Sequence, residues 1–410
     1  MSVALRMRET PAAAAAKVLI WLGLAVLFLG LPCAGVFWRG AIYVLYPVGG
    51  ILILTGALLD APPSPAQRLF DALASPAGLA ALFLAFWTGL SLLWTPFPAD
   101  AGQRFLQALA AASLAALSSI YVPHRTKTAE LYLLPAGLAL SSAAILLLAY
   151  FDPPWFFGAF SFDETLFERA MITAIVLVWP ALGFLSLREN WISAALLAGL
   201  AAAVALAGFA QIALLAMGAG ALAFAVAMSG PAKTGRFFGW VFAALILLAP
   251  LLPFLYRLVL WAAGDTPGLA AAPLVIWGDL AAAQWTRLIT GHGFEFVHHG
   301  LSLGYLPPGT PRSLLFVLWY DLGLAGAAGL AVLLLRAFKG AGGLPAAVAP
   351  AVIAGLVTVL TIAALGIATS QIWWLTLLNC DAVALAFLIK SADKARRPGI
   401  EAIRAMDQAL

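Results

Sequence analysis

The residues best suited to chemistry are concentrated between positions 257 and 312 of the 410-residue chain. This stretch contains three of the four histidines, one glutamate and three arginines, namely His292, His298, His299, Glu295, Arg257, Arg287 and Arg312. Imidazole and carboxylate groups exchange protons near neutral pH, and the planar guanidinium of arginine binds phosphate or carboxylate oxygens through paired hydrogen bonds. The stretch is therefore the candidate site, with backbone hydrogen bonding as the alternative role of the loop histidines His298 and His299.

The composition indicates which elements must position these residues. Hydrophobic residues make up 64% of the chain and charged residues only 10%, with a mean hydropathy of +1.01, whereas about a quarter of a soluble domain is charged. Apolar runs of about 20 residues cross a bilayer as helices, and about twelve such runs lie between charged or proline-rich breaks. We predict an all-α polytopic membrane protein with about twelve transmembrane helices and one long structured outer loop.

The runs divide the chain into four parts. Residues 1–256 contain the first nine helices, and residues 257–312 form the outer, periplasmic loop. Residues 313–390 contain the last three helices, and residues 391–410 form a cytoplasmic tail. Within the loop, Leu274 to Leu288 has the apolar spacing of an amphipathic helix lying along the membrane surface.

The outer arginines suggest an anionic ligand. Short loops rich in Lys and Arg stay in the cytoplasm, and assigning the loops alternately places sixteen of the 22 positive residues inside, with both termini cytoplasmic. The outer six include no lysine and are Arg39, Arg104, Arg169, Arg257, Arg287 and Arg312. Lysine would orient the helices equally well, so arginine alone on this face suggests recognition of phosphate or carboxylate.

Several classes of function are excluded by what the sequence lacks. The net charge of +4 is spread over many loops and forms no basic block, so no nucleic-acid partner is expected. The two cysteines, Cys33 and Cys380, lie far apart in apolar runs, which leaves neither a disulfide framework nor a thiolate metal cluster. We expect no metal and no other cofactor.

Two glycine motifs flank the end of the loop. Gly291-His292-Gly293 predicts a tight backbone turn, and Asp321-Leu322-Gly323-Leu324-Ala325-Gly326 contains a Gly-x-x-Gly that allows close helix contact. With the long loop before the last three helices, these features resemble the O-antigen ligase and O-antigen polymerase family of bacterial envelope glycan enzymes. That family places a His, then Asn, Ser or Gln, nine residues before Gly-x-x-Gly. This chain keeps the spacing and Ser313, which also suits a helix start, but has Arg312 at the His position.

The resemblance implies glycan transfer from a polyprenyl-pyrophosphate carrier to an acceptor sugar, on a glycan or glycolipid, at the outer face of the bacterial inner membrane. Arg312 cannot accept a proton near neutral pH, so we predict that His298 or His299, ahead of Glu295, is the base. The candidate substrate-binding residues are Arg169, Arg257, Arg287, Arg312, His292 and Asp321. Asp321 lies about two turns inside a predicted span, where an acid needs a polar partner; a structural hydrogen bond is the alternative role.

Two other functions stay open at this point. A transporter or exporter of lipid-linked glycan also uses about twelve helices, although such proteins tend to have repeated halves and broken helices. The missing His keeps open a non-catalytic member of an envelope assembly complex. Membrane lipids are partners in every case, and the sequence identifies neither the sugar nor the acceptor.

Overall fold

The computed structural model describes residues 10–60, 64–122, 128–151, 164–207, 211–264, 272–366 and 371–395. In these ranges the regular secondary structure is helical and contains no strand. This is the arrangement expected in lipid, where each backbone N–H and C=O must be paired within its own segment. The predicted all-α class is confirmed, and among the described residues eight helices are long and apolar enough to cross a membrane. The predicted cytoplasmic tail lies mostly outside the described residues.

The contacts divide the chain into two compact units. The helices as far as residue 206 are α1 (Pro11–Leu24) with a π-helical continuation (Ala25–Gly30), α2 (Leu31–Gly35), α3 (Ala41–Leu59), α4 (Pro65–Ala74), α5 (Pro76–Ser91), α6 (Pro98–Ile120), a 3-10 turn (Thr128–Tyr132), α7 (Leu133–Phe151), α8 (Glu164–Leu187) and α9 (Trp191–Leu206). The later helices are α10 (Gln211–Ser229), α11 (Pro231–Leu248), a 3-10 turn (Ala249–Leu251), α12 (Leu252–Ala263), α13 (Ala272–Ala283), α14 (Arg287–Thr290), α15 (Phe296–Ser302), α16 (Leu314–Gly342), α17 (Ala349–Leu365) and α18 (Ile372–Ala395).

Helix length and composition alone do not establish the predicted count of twelve spans. Eight helices pass as spans in the described ranges, or nine if α4 and α5, which are bent by 77°, form one broken span. The apolar helices α9 and α17 have 16 and 17 residues and reach roughly 25 Å, less than the about 30 Å of a hydrocarbon core. Each predicted run still coincides with a helix or with consecutive helices.

The first unit comprises the described residues of Met1–Phe70, Ala112–Phe209 and Asn379–Leu410. Helix α1 packs on α3, and α7 packs on both α8 and α9. Helix α8 is apolar on all sides, and 89% of its most apolar 18-residue stretch is buried, as expected for a central helix. Ile145, Met171 and Val204 from these three helices meet in a buried cluster.

The second unit comprises the described residues of Asp71–Ala111 and Ala210–Leu378, and it contains almost all the candidate site residues. Helix α16 is its centre and contacts α5, α11 and α17. The indole N–H of Trp319 donates to the Ile246 carbonyl at 2.7 Å, and the rings of Phe242 and Phe338 stack at 5.8 Å. As the sequence predicts, α16 begins after Ser313, whose hydroxyl accepts from the backbone N–H of Phe316.

Two local predictions differ from the structure. The predicted amphipathic helix Leu274–Leu288 ends at Ala283, because the chain turns where the Gln284 side chain contacts His292 and Tyr320. The Gly-x-x-Gly was expected to bring two helices together. Instead, Gly323 has a φ of 65° and interrupts α16, and a Cβ there would lie only 2.6 Å from the Gly291 nitrogen in the loop.

Candidate functional site

The break at Gly323 creates a docking place inside α16. A residue outside the helical dihedral range leaves the preceding carbonyls in need of donors, as at any helix end. The carbonyl of Tyr320 accepts from the His292 backbone N–H at 2.8 Å, and that of Asp321 accepts from the Gly293 N–H at 3.0 Å. The Leu322 carbonyl accepts from the indole N–H of Trp87 at 2.9 Å. The long loop is thus hydrogen-bonded directly to the broken helix.

Residues 291–299, which we call the docked segment, fit against this break only because two of them are glycines. Gly291 has a φ of 74° and Gly293 a φ of 102°, a region that side chains rarely adopt. A Cβ on Gly291 would lie 2.2 Å from the Asp321 carbonyl oxygen, and one on Gly293 would lie 2.6 Å from the Thr95 Cα. The predicted tight turn is therefore present, and its glycines serve close backbone approach.

Asp321 fixes the next part of the docked segment. Its carboxylate accepts from the backbone N–H of Glu295 at 3.1 Å and from that of Val297 at 3.0 Å. The residue is only 3% exposed, and burying an acid is costly unless donors satisfy it. The structure thus gives Asp321 the structural hydrogen bonds that the sequence left as an alternative, and these bonds position Glu295.

Glu295 is the most unusual residue of the site. It has a φ of 68° although it is not glycine, a conformation that costs of order 1–3 kcal/mol and is common at functional positions. Its side chain is 1% exposed, and Oε2 lies 3.9 Å from the Arg104 Nε. That oxygen has no hydrogen-bond partner among the described residues. Burial raises the pKa of Glu295 to about 7, against the opposing charge of Arg104.

Arg104 also binds His298. Its guanidinium donates to Nε2 of His298 at 3.2 Å, and because arginine offers only donors, that ring nitrogen must be the acceptor. Burial first, and then the charges of Arg104, His299 and Arg312, lower the pKa of His298. The imidazole is therefore neutral near pH 7, but its free electron pair is already used.

His299 and His292 occupy different environments. The His299 ring lies 5.2 Å from the Phe97 ring, and its buried Nε2 has no hydrogen-bond partner among the described residues. The His292 ring stacks on Tyr320 at 4.0 Å, and Nδ1 donates to the Tyr320 carbonyl at 3.0 Å. Burial, more than the nearby charge of Arg287, lowers the pKa of His292. His292 thus fastens the loop to α16.

The predicted arginines do not converge. Arg312 is exposed at the end of the loop, and its charge reaches His298. Arg257 instead pairs with Asp279 at 2.6 Å and holds α13, and Arg287 is exposed beside His292. Arg169 lies in the first unit, on α8.

Arg104 is the functional candidate that sequence reasoning missed. It is one of the arginines that the sequence assigned to the outer side, but it lies on α6, 194 residues before His298, which it reaches in the folded chain. Its signal in the sequence was a cation near the start of a helix that is otherwise mostly apolar. Nothing in the sequence indicated which loop it would meet.

The described residues contain no group of three or more His, Cys, Asp or Glu side chains that could hold a metal ion. Around the buried carboxyl group of Glu295, the arrangement brings together a second buried carboxyl group, that of Asp321, with two histidines and two arginines. Such a set can bind an anion at the guanidinium groups and accept a proton at the carboxyl group. No protein-family model, curated protein or solved structure matches the chain.

Proposed function

We propose that this protein transfers a glycan from a polyprenyl-pyrophosphate carrier to an acceptor sugar hydroxyl at the outer face of the bacterial inner membrane. The observation that supports it most is Glu295, a buried carboxyl group in a strained backbone conformation with one unbonded oxygen beside Arg104. The family-like motifs of the sequence are its second support. Both motifs lie in the second unit, within the contact between the docked segment and α16.

Glu295 is the base in this proposal. A base works best when its pKa lies near the operating pH, and that of Glu295 is raised to about 7. The sequence favoured the histidines, but the Nε2 pair of His298 is already bonded to Arg104. His299 remains the second choice because its Nε2 is buried without a hydrogen bond to any described residue.

The reaction needs one proton acceptor and one place for negative charge. The acceptor hydroxyl oxygen bonds to the anomeric carbon of the donor sugar, and its proton passes to Glu295. The bond from that carbon to the phosphate oxygen breaks, and the pyrophosphate leaves with the electron pair. Arg104 stabilises the charge that develops there, which requires no metal. A bidentate guanidinium suits a phosphate better than the point charge of lysine.

The test is glycan transfer by the purified full-length protein in lipid vesicles, with lipid-linked donor and acceptor extracted from its own bacterium. A positioned base typically contributes 10²- to 10⁴-fold, so Glu295→Gln is expected to lower the rate by about that factor while donor binding is kept. Glu189→Gln is the matched control. Glu189 also has a positive φ, of 56°, but it is exposed on the first unit, and its variant should keep the parent rate.

The assay distinguishes Glu295 from His299 as the base, and a transferase from a non-catalytic protein. Full activity of Glu295→Gln together with loss in His299→Ala would move the base to His299. Absence of transfer by the parent protein with its native donor would instead favour the non-catalytic member of an assembly complex.

A transporter of lipid-linked glycan is the second candidate because α16 is broken at Gly323. Discontinuous helices that expose backbone groups inside the membrane are typical of transporter sites. Here, however, the freed carbonyls are bonded to His292, Gly293 and Trp87. Movement of a fluorescent lipid-linked glycan between the leaflets of vesicles, at equal rates in parent protein and Glu295→Gln, would favour transport over transfer.

The topology that this function needs has twelve spans, both termini in the cytoplasm and residues 257–312 in the periplasm. The distribution of positive charge supports it, since all six lysines fall on the predicted inner side. In a variant lacking Cys33 and Cys380, a cysteine at Leu303 should react with an impermeant thiol reagent from outside. A cysteine at Lys339 should react only after the membrane is opened. The reverse pattern would contradict the topology and the proposed function with it.

A further inference from the structure

A half-open cavity of about 850 Å³ is lined by Leu301 and by residues of the stretch 304–312, which we call the open segment. This volume lies in the range of small-molecule sites, roughly 300–1,000 Å³. Tyr305, Pro307 and Pro308 contribute flat apolar surfaces, while Thr310 and Arg312 contribute polar atoms. Arg312 is the one charged residue among those that line the cavity.

The cavity adjoins the cluster around Glu295. The ring of Phe97 lies 5.2 Å from that of His299 and 6.2 Å from that of Tyr305, so one aromatic ring separates the cavity wall from the docked segment. Arg312, another residue that lines the cavity, is close enough for its charge to lower the pKa of His298. The cavity therefore lies next to the docked segment, which carries the proposed base.

The lining selects the chemical class of the occupant. A sugar ring presents apolar C–H faces and polar hydroxyl edges. The faces match the surfaces of Tyr305 and the prolines, and the hydroxyl edges match the polar atoms of Thr310 and Arg312. The Thr310 hydroxyl donates to the Pro307 carbonyl at 2.7 Å, which leaves its oxygen able to accept from a ligand hydroxyl. An acyl chain would leave the donors of Arg312 unmatched, and a pyrophosphate would meet a single cation.

We propose that this cavity binds the terminal, uncharged sugar units of the acceptor glycan. The inference rests on the proposed function and adds the place where the attacking hydroxyl is held before it loses its proton. Tyr305 and Arg312 orient the saccharide, and the docked segment supplies the base.

Photo-crosslinking tests the assignment whatever the identity of the glycan. Full-length protein with Tyr305→p-benzoylphenylalanine, produced in its own bacterium and irradiated in intact cells, is purified and analysed by mass spectrometry. The expected adduct contains neutral hexose or deoxyhexose units. The matched control is Leu303→p-benzoylphenylalanine, because Leu303 is 60% exposed and close in sequence but does not line the cavity. It should yield lipid adducts or none.

Addition of Arg312→Ala to the Tyr305 crosslinker should lower the saccharide yield by roughly tenfold or more, on the order of a lost charge-assisted hydrogen bond. Phospholipid at position 305, no adduct there, or equal saccharide yield at positions 303 and 305 would overturn the inference. Transfer activity without a saccharide adduct would remove this site and leave the proposed function intact. A saccharide adduct on a protein without transfer activity would keep this site and contradict the proposed function.

Discussion

The docked segment and the open segment are neighbouring parts of one loop, yet they are held in different ways. The backbone N–H groups of His292, Gly293, Glu295 and Val297 all donate to Tyr320 or Asp321 in the broken helix. In the open segment, Gly304 and Gly309 have positive φ values, but a Cβ on Gly304 would meet no atom within 4 Å. The docked segment is fixed by its backbone, and the open segment lines a cavity.

This difference fits a division of work between the two segments. A base must be placed within hydrogen-bond reach of the proton that it accepts, and such precision requires a supporting structure around the residue. A cavity for a glycan needs shape and a few polar atoms but tolerates some adjustment. We therefore expect substitutions in the docked segment to alter the fold around the base, and equivalent substitutions in the open segment to have small effects.

The largest effect is expected from Gly291→Ala. The new Cβ would lie 2.2 Å from the Asp321 carbonyl oxygen, and the φ of 74° would be strained as well. Strain and overpacking together cost roughly 3–5 kcal/mol, so the docked segment should detach, with a large drop in thermal midpoint in detergent and loss of transfer. Gly340→Ala is the control, because that glycine lies in α16 with no atom near its Cβ position. Equal midpoints for the two variants would contradict the docking.

A second effect is expected from pH. The pKa of Glu295 is raised from 4.5 to about 7, so between these values the folded protein binds a proton that the unfolded chain has lost. The contribution of Glu295 to the free energy of unfolding therefore falls as pH rises through this window, by about 3 kcal/mol in total. The groups that face Glu295 from other helices are the guanidinium of Arg104 on α6 and the titratable carboxyl group of Asp321 on α16.

Thermal midpoints measured from pH 4 to 9 check this expectation. The difference between Glu295→Gln and the parent protein should grow in favour of the variant as pH rises from about 4.5 to 7, and it should stay constant above that. In the transfer assay, the parent rate should rise with pH to a plateau above about 7. A pH-independent difference in midpoint would show that Glu295 is ionised throughout and would remove the basis for its role as base.

The smallest effect is expected from Gly304→Ala. Its φ of 78° disfavours a side chain, which costs about 1 kcal/mol, but no atom obstructs the added Cβ. The thermal midpoint should fall by only a few degrees, and saccharide capture at Tyr305 should persist. A loss as large as that of Gly291→Ala would mean that the open segment is as tightly held as the docked one.

Much of the fold was predictable from the sequence because it depends on local composition. Apolar runs of helix length specify helices wherever they lie in lipid, and each predicted run is helical in the structure. Ser313 was recognisable as a helix start because its cap involves the N–H three residues later. The turn at Gly291 and Gly293 was recognisable from its glycines alone.

The site was less predictable because its contacts join distant segments. Apart from Arg169, the arginines were selected for residue type and for nearness in sequence to the histidines, and on that basis Arg257 was included and Arg104 left out. In the structure Arg257 binds Asp279 and the carbonyl of Val275. Arg104 instead reaches Glu295 and His298 from α6.

The sequence by itself determined the all-helical membrane class, the helix positions and the stretch that contains Glu295 and three of the four histidines, because hydropathy and cap residues act over a few turns of chain. Only the tertiary structure decided that Gly323 breaks α16, that Asp321 binds the backbone beside Glu295, and that burial raises the pKa of that glutamate. Those properties depend on which groups surround a residue after the chain has folded, and a buried carboxyl group changes its proton affinity only when its neighbours replace water.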